Sequence, residues 1–561
     1  VVEPKRGEFL STLEFVEIQG FVESQDDLSS FTFNDEPQPL FPDGSFKIKI
    51  QPTPGLVTFV LEAITVNGLE DRVVQSFMYG ELVGCDNEMP ETLDVHIGPM
   101  SLDNDTPAPD DYAGVLQLVL DEGDLVDGEE ADFDVYLAEL DQMVTVSIQF
   151  GGVGQPTDVE FWTTPDEAHL VAVMSDLLIN YQVVGGPLSG SGAITIETAT
   201  AGASVSVSID PLGDLVSEVQ QSSLTLEGLV IEDDGQLPAA AQAALEPLLE
   251  PGLEEALGAA LYDALGSALP QWLNGFKTSN FIAIGGSLDA GIQLDSRYVT
   301  ATLGDGGLDA TLSTVVPCTG AVFEGAGMPI TLGASPNTGG YEQAAWGVAD
   351  DMMNQVFLGA WQQGLLSQVA LSAQELEPYV GEVPTETVDL VASITLEAAL
   401  PPLLDLGQVD ADPPVMADPP VMADPPVMWV GDLEIVVSLT GLGDAIFRVA
   451  GAIPVTIGTI PGWTTTYDLV LQPQGAQLVI VPELVPPGVA TAHLVTLVQG
   501  VAQPLVAKAL AELGSMPTLS LELATFDELS GTPFQETVVG LGDADISLPP
   551  DAPGYILFQG D

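Results

Sequence analysis

Residues 249–273, LEPGLEEALGAALYDALGSALPQWL, are the stretch from which the fold of this chain is predicted. A leucine stands at every fourth position, and alanine and leucine cover most of the surface of the helix that this spacing predicts. Pro251 suits the first turn of that helix, and Pro270 lies near its end. Because a helix that is apolar on nearly every side has to be buried, we expect the β-rich runs before and after it to enclose it.

The second half of the chain repeats this order of elements. A helix is predicted over 341–363, and its apolar face contains Val348, Met352 and Val356. Several β-rich runs follow, and a second long, buried apolar helix is predicted over 489–513. Each half is therefore expected to contain extended sheet, one long apolar helix and more sheet.

Short runs of alternating apolar and polar residues occupy the first 90 positions. In the run 46–50, Phe-Lys-Ile-Lys-Ile, a period of two gives one apolar and one solvated face. Asp43-Gly44 and Asn67-Gly68 are turn dipeptides that separate such runs. The pattern predicts a small β-sandwich, and it resembles the immunoglobulin-like modules of bacterial surface proteins.

The predicted fold class is α+β. We expect an immunoglobulin-like β-sandwich over 1–98, then two pseudo-repeated domains over 99–320 and 321–561, each a long helix wrapped by a curved antiparallel sheet. Within the last domain, Ala-Asp-Pro-Pro-Val-Met occurs three times in tandem over 411–428. Its paired prolines predict a surface loop, either a docking loop or a neutral insertion. Loops tolerate insertions at low cost, which favours the neutral insertion.

The charge of the chain is very unequal. It carries 83 acidic and 9 basic residues, a net charge of −74. Nucleic-acid binding is excluded because it needs clustered Lys and Arg, and docking on an anionic membrane is disfavoured for the same reason. No run of 18 apolar residues occurs, so no transmembrane segment is predicted. The acidity suggests an extracytoplasmic protein (secreted, periplasmic or on the cell surface) that works in salt, where self-repulsion is screened.

The chain has two cysteines, Cys85 and Cys318, and three scattered histidines. No spacing typical of a structural zinc site occurs. The two cysteines are expected either to form a disulfide, if the chain is secreted, or to be two free buried thiols. The extracytoplasmic interpretation favours the disulfide.

An acidic stretch over 100–135 contains Asp103, Asp105, Asp110 and Asp111. Oxygen-rich loops suit Ca²⁺, which takes about six to eight oxygen ligands. The spacing matches no EF-hand loop, however, and runs of charge are usually just solvated. A Ca²⁺ site at these four aspartates is therefore the alternative to a solvated loop, and no other cofactor is expected.

Sequence motifs of catalysis are absent. There is no G-x-S-x-G, no P-loop and no G-x-G-x-x-G between a strand and a helix. None of the three histidines lies in a nucleophile pattern, which disfavours a Ser-His-Asp enzyme. His493 lies inside the second apolar helix and is predicted to be a satisfied core residue. We expect a protein that is not an enzyme, and rank a hydrolase last.

Two stretches carry a resemblance to a known family: 245–253, Leu-Glu-Pro-Leu-Leu-Glu-Pro-Gly-Leu, which leads into the first helix, and 341–366, which opens the second half. A long apolar helix wrapped by a curved sheet, occurring twice, resembles the tubular lipid-binding (TULIP) superfamily, which includes the bactericidal/permeability-increasing protein. The resemblance covers roughly 100–561 and implies two lipid-binding units with an apolar tunnel between helix and sheet.

In such a tunnel, each buried CH₂ of an acyl chain would contribute about 0.8 kcal/mol to the free energy of binding. The alternative is that the same side chains simply pack the core. The residues expected to line the tunnel all lie on the predicted helices: Leu257, Leu261, Leu265, Val348, Met352, Val356, Leu497 and Val501.

The bactericidal relatives recognise anionic lipid with a cationic tip, and this chain has no basic cluster beyond its first 72 residues. The expected ligand is therefore a neutral or cationic amphiphile, or one whose head group is bridged by a metal ion. The competing hypothesis is a structural or adhesive surface protein with filled barrels, which associates with itself or with a cell-surface partner through the N-terminal module.

Overall fold

The fold is described from a computed structural model. It describes the chain except for residues 12–13, 107–110, 122–129, 138–140, 154–156, 186–187, 234–272, 275–278, 285–286, 318–321, 331–335, 337, 339–340, 365–368, 377, 380–382, 408–425, 462–466, 474, 513–515, 518–544, 548–551, 553 and 560–561. The first predicted helix and the tandem hexamers fall almost wholly outside the described residues.

The N-terminal part forms two sheets that share one apolar core. The first has the strand order β1-β7-β6-β3-β4, and the second pairs β2 with β5. Phe33, Phe59 and Phe77 lie in the core between them. The turns at Gly44 and Gly68 have φ of +80° and +78°, as the turn dipeptides predict. The strands are β1 Glu8–Ser11, β2 Val16–Phe21, β3 Leu28–Phe33, β4 Glu36–Pro37, β5 Ser45–Ile50, β6 Gly55–Thr65, β7 Glu70–Gly80, β8 Leu82–Val83 and β9 Met89–Ile97.

After two helices, α1 Pro99–Leu102 and α2 Tyr112–Asp121, the chain forms a further sheet, which is antiparallel. Its order is β10-β11-β13-β14-β15, with β12 paired to β13 and β16 to β14. α2 packs on β12, where the rings of Tyr112 and Phe161 meet edge to face at 5.0 Å. The strands are β10 Glu130–Leu137, β11 Gln142–Val153, β12 Asp158–Thr164, β13 Glu167–Gly185, β14 Leu188–Ile209, β15 Leu215–Glu227 and β16 Val230–Asp233.

The middle of the chain adds five strands and the helix α3 Asp350–Gln362. Sequence analysis predicts helix over 341–363, but Ala345–Ala349 form a strand. This strand is buried on both faces between two neighbours, so it lacks the alternation by which a half-buried strand is recognised. The strands are β17 Ser279–Ile284, β18 Ser287–Gly304, β19 Gly307–Val315, β20 Met328–Pro329 and β21 Ala345–Ala349.

The last part forms another antiparallel sheet and the long helix α6 Thr491–Glu512. The sheet has the order β22-β23-β25-β26-β27-β29, with β24 paired to β25 and β28 to β26. The other elements are β22 Val369–Ser372, α4 Ala373–Leu376, α5 Thr385–Val388, β23 Val391–Ala398, β24 Leu403–Asp405, β25 Val427–Leu439, β26 Gly443–Pro461, β27 Tyr467–Pro473, β28 Gln477–Leu484, β29 Met516–Pro517, β30 Asp545–Ser547 and β31 Tyr555–Gln559.

A seven-stranded sheet joins these parts. Its order, β17-β18-β19-β9-β21-β31-β30, takes strands from the beginning, the middle and the end of the chain. All three predicted segments, 1–98, 99–320 and 321–561, therefore contribute strands to one sheet and are not joined by linkers alone. The boundaries themselves stay a prediction. The α+β class agrees with this sheet-rich architecture.

Candidate functional site

The long helix α6 is amphipathic. Its exposed side is polar and contains Thr491, Thr496 and Gln499. His493, near the start of the helix, is also exposed, and its Nδ1 lies 3.4 Å from Thr387 Oγ1. The prediction of a core histidine at 493 is therefore wrong, because its position falls on the solvated side of the helix. The opposite side is one buried apolar stripe that repeats at three- and four-residue spacing: Leu494, Leu497, Val498, Val501, Ala502, Leu505, Val506 and Ala509.

The long helix packs against the last sheet. α6 contacts β22, the first strand of the sheet, and also β27 and β28 toward its other end. Near the end of α6, Lys508 Nζ lies 2.9 Å from Ala370 O and 2.9 Å from Glu375 Oε1. The hydrogen bond from Lys508, with others from Ser372, lowers the pKa of Glu375 to about 2. The helix therefore packs against strands of this sheet, and it also contacts the short helices α4 and α5 through Glu375 and Thr387.

The structure brings several predicted lining residues together. Leu497 and Val501 are fully buried on α6, and Met352 and Val356 are buried on α3. Val348 belongs to the same apolar cluster but lies on β21, not on a helix. Leu257, Leu261 and Leu265 lie outside the described residues. Whether these side chains line a tunnel stays a prediction.

The first curved sheet also has a continuous apolar face. Along β13 the buried positions are Leu170, Ala172 and Met174, then Leu177 and Ile179. The change from even to odd numbers occurs at Asp176, whose φ of 56° interrupts the regular strand. The interruption keeps the apolar side chains on the concave side while the strand changes direction. Nothing in the sequence pattern marks this position.

Sequence analysis did not predict that helix α3 is buried on all sides together with its polar residues. All of its residues are buried, and it lies against the central sheet and β24. Asn354 accepts a hydrogen bond from Leu404 N at 2.7 Å and donates one to Leu404 O at 2.9 Å. Trp361 Nε1 donates to Ala398 O at 2.7 Å. Because each buried polar group has a defined partner, α3 is locked in one position.

Two adjacent carboxyl groups are buried at the start of α3. Asp350 accepts a hydrogen bond from Leu406 N at 3.2 Å. Burial raises the pKa of Asp350 well above its ordinary value, and the neighbouring Asp351 and Asp405 raise it further. The Asp350 carboxyl group thus ties the start of α3 to the residue that follows β24.

The predicted calcium ligands serve as backbone acceptors. Asp103 Oδ2 accepts from Phe161 N at 2.9 Å, and its Oδ1 accepts from Asp105 N at 3.0 Å. Asp111 caps α2 by accepting from Gly114 N at 2.6 Å. Asp110 lies outside the described residues. Across the described part of the chain, no three His, Cys, Asp or Glu side chains converge in a metal-binding group. A Ca²⁺ site stays a prediction.

Cys85 is disulfide-bonded. Cys318 lies outside the described residues, so the predicted pairing of Cys85 with Cys318 stays a prediction. Of the helices whose residues are described, none is both long enough and apolar enough to cross a bilayer.

Two cavities lie outside the α6 stripe. One, of about 290 Å³, is lined by Gly7, Trp361, Glu397 and Arg448 among others, and lies where the N-terminal sheets meet the last sheet. Beside it, Arg6 Nε lies 3.3 Å from the buried Asp432, and Arg448 Nε lies 2.5 Å from Glu483. The other cavity, of about 200 Å³, lies within the N-terminal part.

Three of the solved structures that resemble this chain illustrate how remote the likeness is. The crystal structure of lipopolysaccharide binding protein matches at 13% identity and a TM-score of 0.38, over 84% of this chain and 99% of that one. P47 of Clostridium botulinum E1 matches at 8% and 0.25, over 85% and 100%. P47 of Clostridium botulinum A2 matches at 10% and 0.24, over 84% and 97%. Likeness at these scores assigns no fold, ligand or function. No protein-family model and no curated protein sequence matches the chain.

Proposed function

We propose that this protein binds lipids or other hydrophobic ligands outside the cytoplasm, without catalysis, between a long helix and a curved sheet. The observation that supports this is the buried apolar α6 stripe, on a helix that contacts β22 at one end of the sheet and β27 and β28 toward the other. An apolar chain lodged there needs no polar recognition, since burial alone contributes about 0.8 kcal/mol per CH₂.

The charge of the chain supports a neutral or cationic head group. The net charge is −74. On α6, the described cation Lys508 is already engaged by Glu375, so it is not available to an anionic head group. An anionic amphiphile would approach a surface of its own sign and lose affinity at low salt.

A structural or adhesive protein with filled barrels is the second candidate. One observation favours it: Leu497, Val498 and Val501 are completely buried within a continuous apolar cluster. If protein atoms occupy all of that space, no room is left for a ligand. The two candidates differ in whether the interior accepts added volume.

Substituting tryptophan on the two sides of α6 tests the proposal. Protein extracted with organic solvent and refolded is titrated with a neutral, fluorescent monoacylglycerol. Val501→Trp places an indole in the buried stripe, and the matched control Gln499→Trp places the same group on the exposed side.

If the interior holds a ligand, Val501→Trp folds and loses at least about tenfold in affinity, a change of about 1.4 kcal/mol. Gln499→Trp binds as the parent does. If the interior is filled, the parent does not bind the probe, and Val501→Trp is destabilised by about 1–3 kcal/mol through overpacking. The second result would contradict the proposal.

A further inference from the structure

The N-terminal part has an apolar groove open to solvent. Phe31 and Phe46 form its floor, with ring centroids 5.0 Å apart. Phe21 and Leu69 stand at its walls with 61% and 65% of their surfaces exposed. Isolated exposed apolar residues are ordinary, but here several line one cavity of about 200 Å³.

The local sequence keeps this groove in shape. The Phe46 ring lies directly against Gly20, where an added Cβ would come within 2.7 Å of the ring. Because Gly20 has no side chain, the ring lies flat under β2 and leaves Phe21 at the edge of the groove. The second sheet has two strands and the first has five, so part of the apolar face of the first sheet stays uncovered there.

The rim of the groove is acidic. Glu23, Glu62, Glu70 and Asp71 all line it. The register of β6 and β7 places Asp71 on the same face of the sheet as Phe31, and places Glu62 with Arg72 on the other face. Burial, together with the hydrogen bond and charge of Glu70, raises the pKa of Glu62 above its ordinary value.

Three other cations in this module are already engaged. Lys47 pairs with Glu17, and Lys49 Nζ lies 4.2 Å over the Phe15 ring. Arg6 pairs with Asp432. A second copy of this chain would therefore bring a net charge of −74 and few available cations to an acidic rim. Charge complementarity favours a different partner, one that carries positive charge.

We propose that this groove docks a protein segment in which a large apolar side chain stands next to Lys or Arg. The apolar side chain enters between Phe21 and Leu69, and the basic side chain reaches the carboxylates of Glu23 and Asp71. The cavity has room for one or two side chains and not for a long acyl chain. This proposal is independent of ligand binding at α6.

Binding of a labelled peptide to the full chain tests it. The probe is a short peptide of alternating leucine and lysine, followed by fluorescence anisotropy at about 0.15 M NaCl, where surface attraction is screened beyond about 8 Å. Leu69→Ser alters the wall, and the double change Glu23→Gln with Asp71→Asn alters the rim. Leu212→Ser, which changes a leucine with 70% exposure elsewhere, and Glu227→Gln are the matched controls.

We expect each groove variant to lose at least about tenfold in affinity, and each control to lose less than about twofold. Equal binding by all variants, or equal binding of a serine–lysine peptide, would show general attraction to an acidic chain and overturn the proposal. Absence of binding would overturn it, as would a preference for dodecyltrimethylammonium over the peptide. A dimer that dissociates on Leu69→Ser would assign the groove to a second copy instead.

Discussion

A few buried charges fix how the parts of this protein meet. Asp432 is fully buried in β25, at a bulge where its φ is 47°. Its Oδ2 accepts a hydrogen bond from Ser76 N at 2.8 Å, and its Oδ1 forms an ion pair with Arg6 without hydrogen-bond geometry. Burial raises the pKa of Asp432, while the Ser76 N–H and Arg6 oppose that rise. The Asp432 carboxylate is thus one of the links between the N-terminal part and the last sheet.

Replacing Arg6 with methionine is expected to cost about 1–3 kcal/mol, because it leaves the buried Asp432 carboxylate without its guanidinium. The pKa of Asp432 is already raised in the folded state, and losing Arg6 raises it further. The cost is therefore greatest at neutral pH and shrinks as Asp432 becomes protonated in acid. Urea unfolding at pH 7 and pH 4 measures it. Lys47→Met, which breaks an exposed pair with Glu17, should cost less than about 1 kcal/mol at both pH values.

Asp350→Asn is expected to stabilise the protein at neutral pH. Because the folded pKa of Asp350 is raised, its protonated form is favoured by folding, and that contribution is lost as pH rises through the folded pKa. Asparagine keeps an acceptor for Leu406 N without the charge. The gain should shrink as pH falls toward 4, as followed by thermal unfolding, whereas exposed Glu227→Gln should show no such pH-dependent gain. A loss of stability at neutral pH would contradict this.

The composition shows that the chain is acidic, but it does not indicate which acidic residues have structural roles. Asp103 and Asp111 were expected as metal ligands, yet they accept backbone N–H groups that arise from α2 and β12. Asp350 and Asp432 were not singled out, because nothing in a chain with 83 acids marks the few that become buried. Their burial depends on partners more than 50 residues away, such as Leu406 and Ser76.

At the scale of elements, periodicity predicted α6 well and α3 only in part. The repeat of apolar residues over 489–513 agrees with a helix at Thr491–Glu512. The same reasoning predicted a single helix over both β21 and α3, because apolar residues recur at every fourth position from Ala344 to Ala360. The polar residues of α3 did not indicate that the helix is buried, since the hydrogen-bond partners of Asn354 and Gln355 lie far away in the sequence.

Leu497→Ala tests the packing of α6. Leu497 is completely buried, so its truncation should cost about 2–5 kcal/mol in thermal or urea unfolding followed by circular dichroism. The neighbouring exposed Thr496→Ala should change stability by less than about 0.5 kcal/mol. Equal effects at the two positions would mean that the stripe is not held against the sheet.

At the scale of the whole molecule, long-range pairing is what sequence analysis could not supply. Single strands could be recognised, but the pairing of β9 with both β19 and β21, and of β21 with β31, joins residues more than 200 positions apart. A register between such distant strands leaves no mark in local periodicity. Local patterns therefore predict three successive segments but not the central sheet to which all three contribute strands.

A net charge of −74 predicts strong dependence on salt. Raising NaCl from about 0.01 M to 0.15 M shortens the Debye length from about 30 Å to 8 Å, which screens self-repulsion. We expect the midpoint of thermal unfolding to rise by several degrees over this range. The same rise with sucrose in place of salt would point to solvent exclusion and not to charge.

The most direct test of hydrophobic-ligand binding is native mass spectrometry of the freshly purified chain, with organic extraction of the same sample. We expect the chain to carry the added mass of one or more amphiphiles, and we expect this added mass to disappear on extraction. The amphiphiles should then be found in the organic phase and should be neutral or cationic. A protein that matches its bare 58.5 kDa mass, yields no amphiphile on extraction and takes up none when offered it would contradict the account.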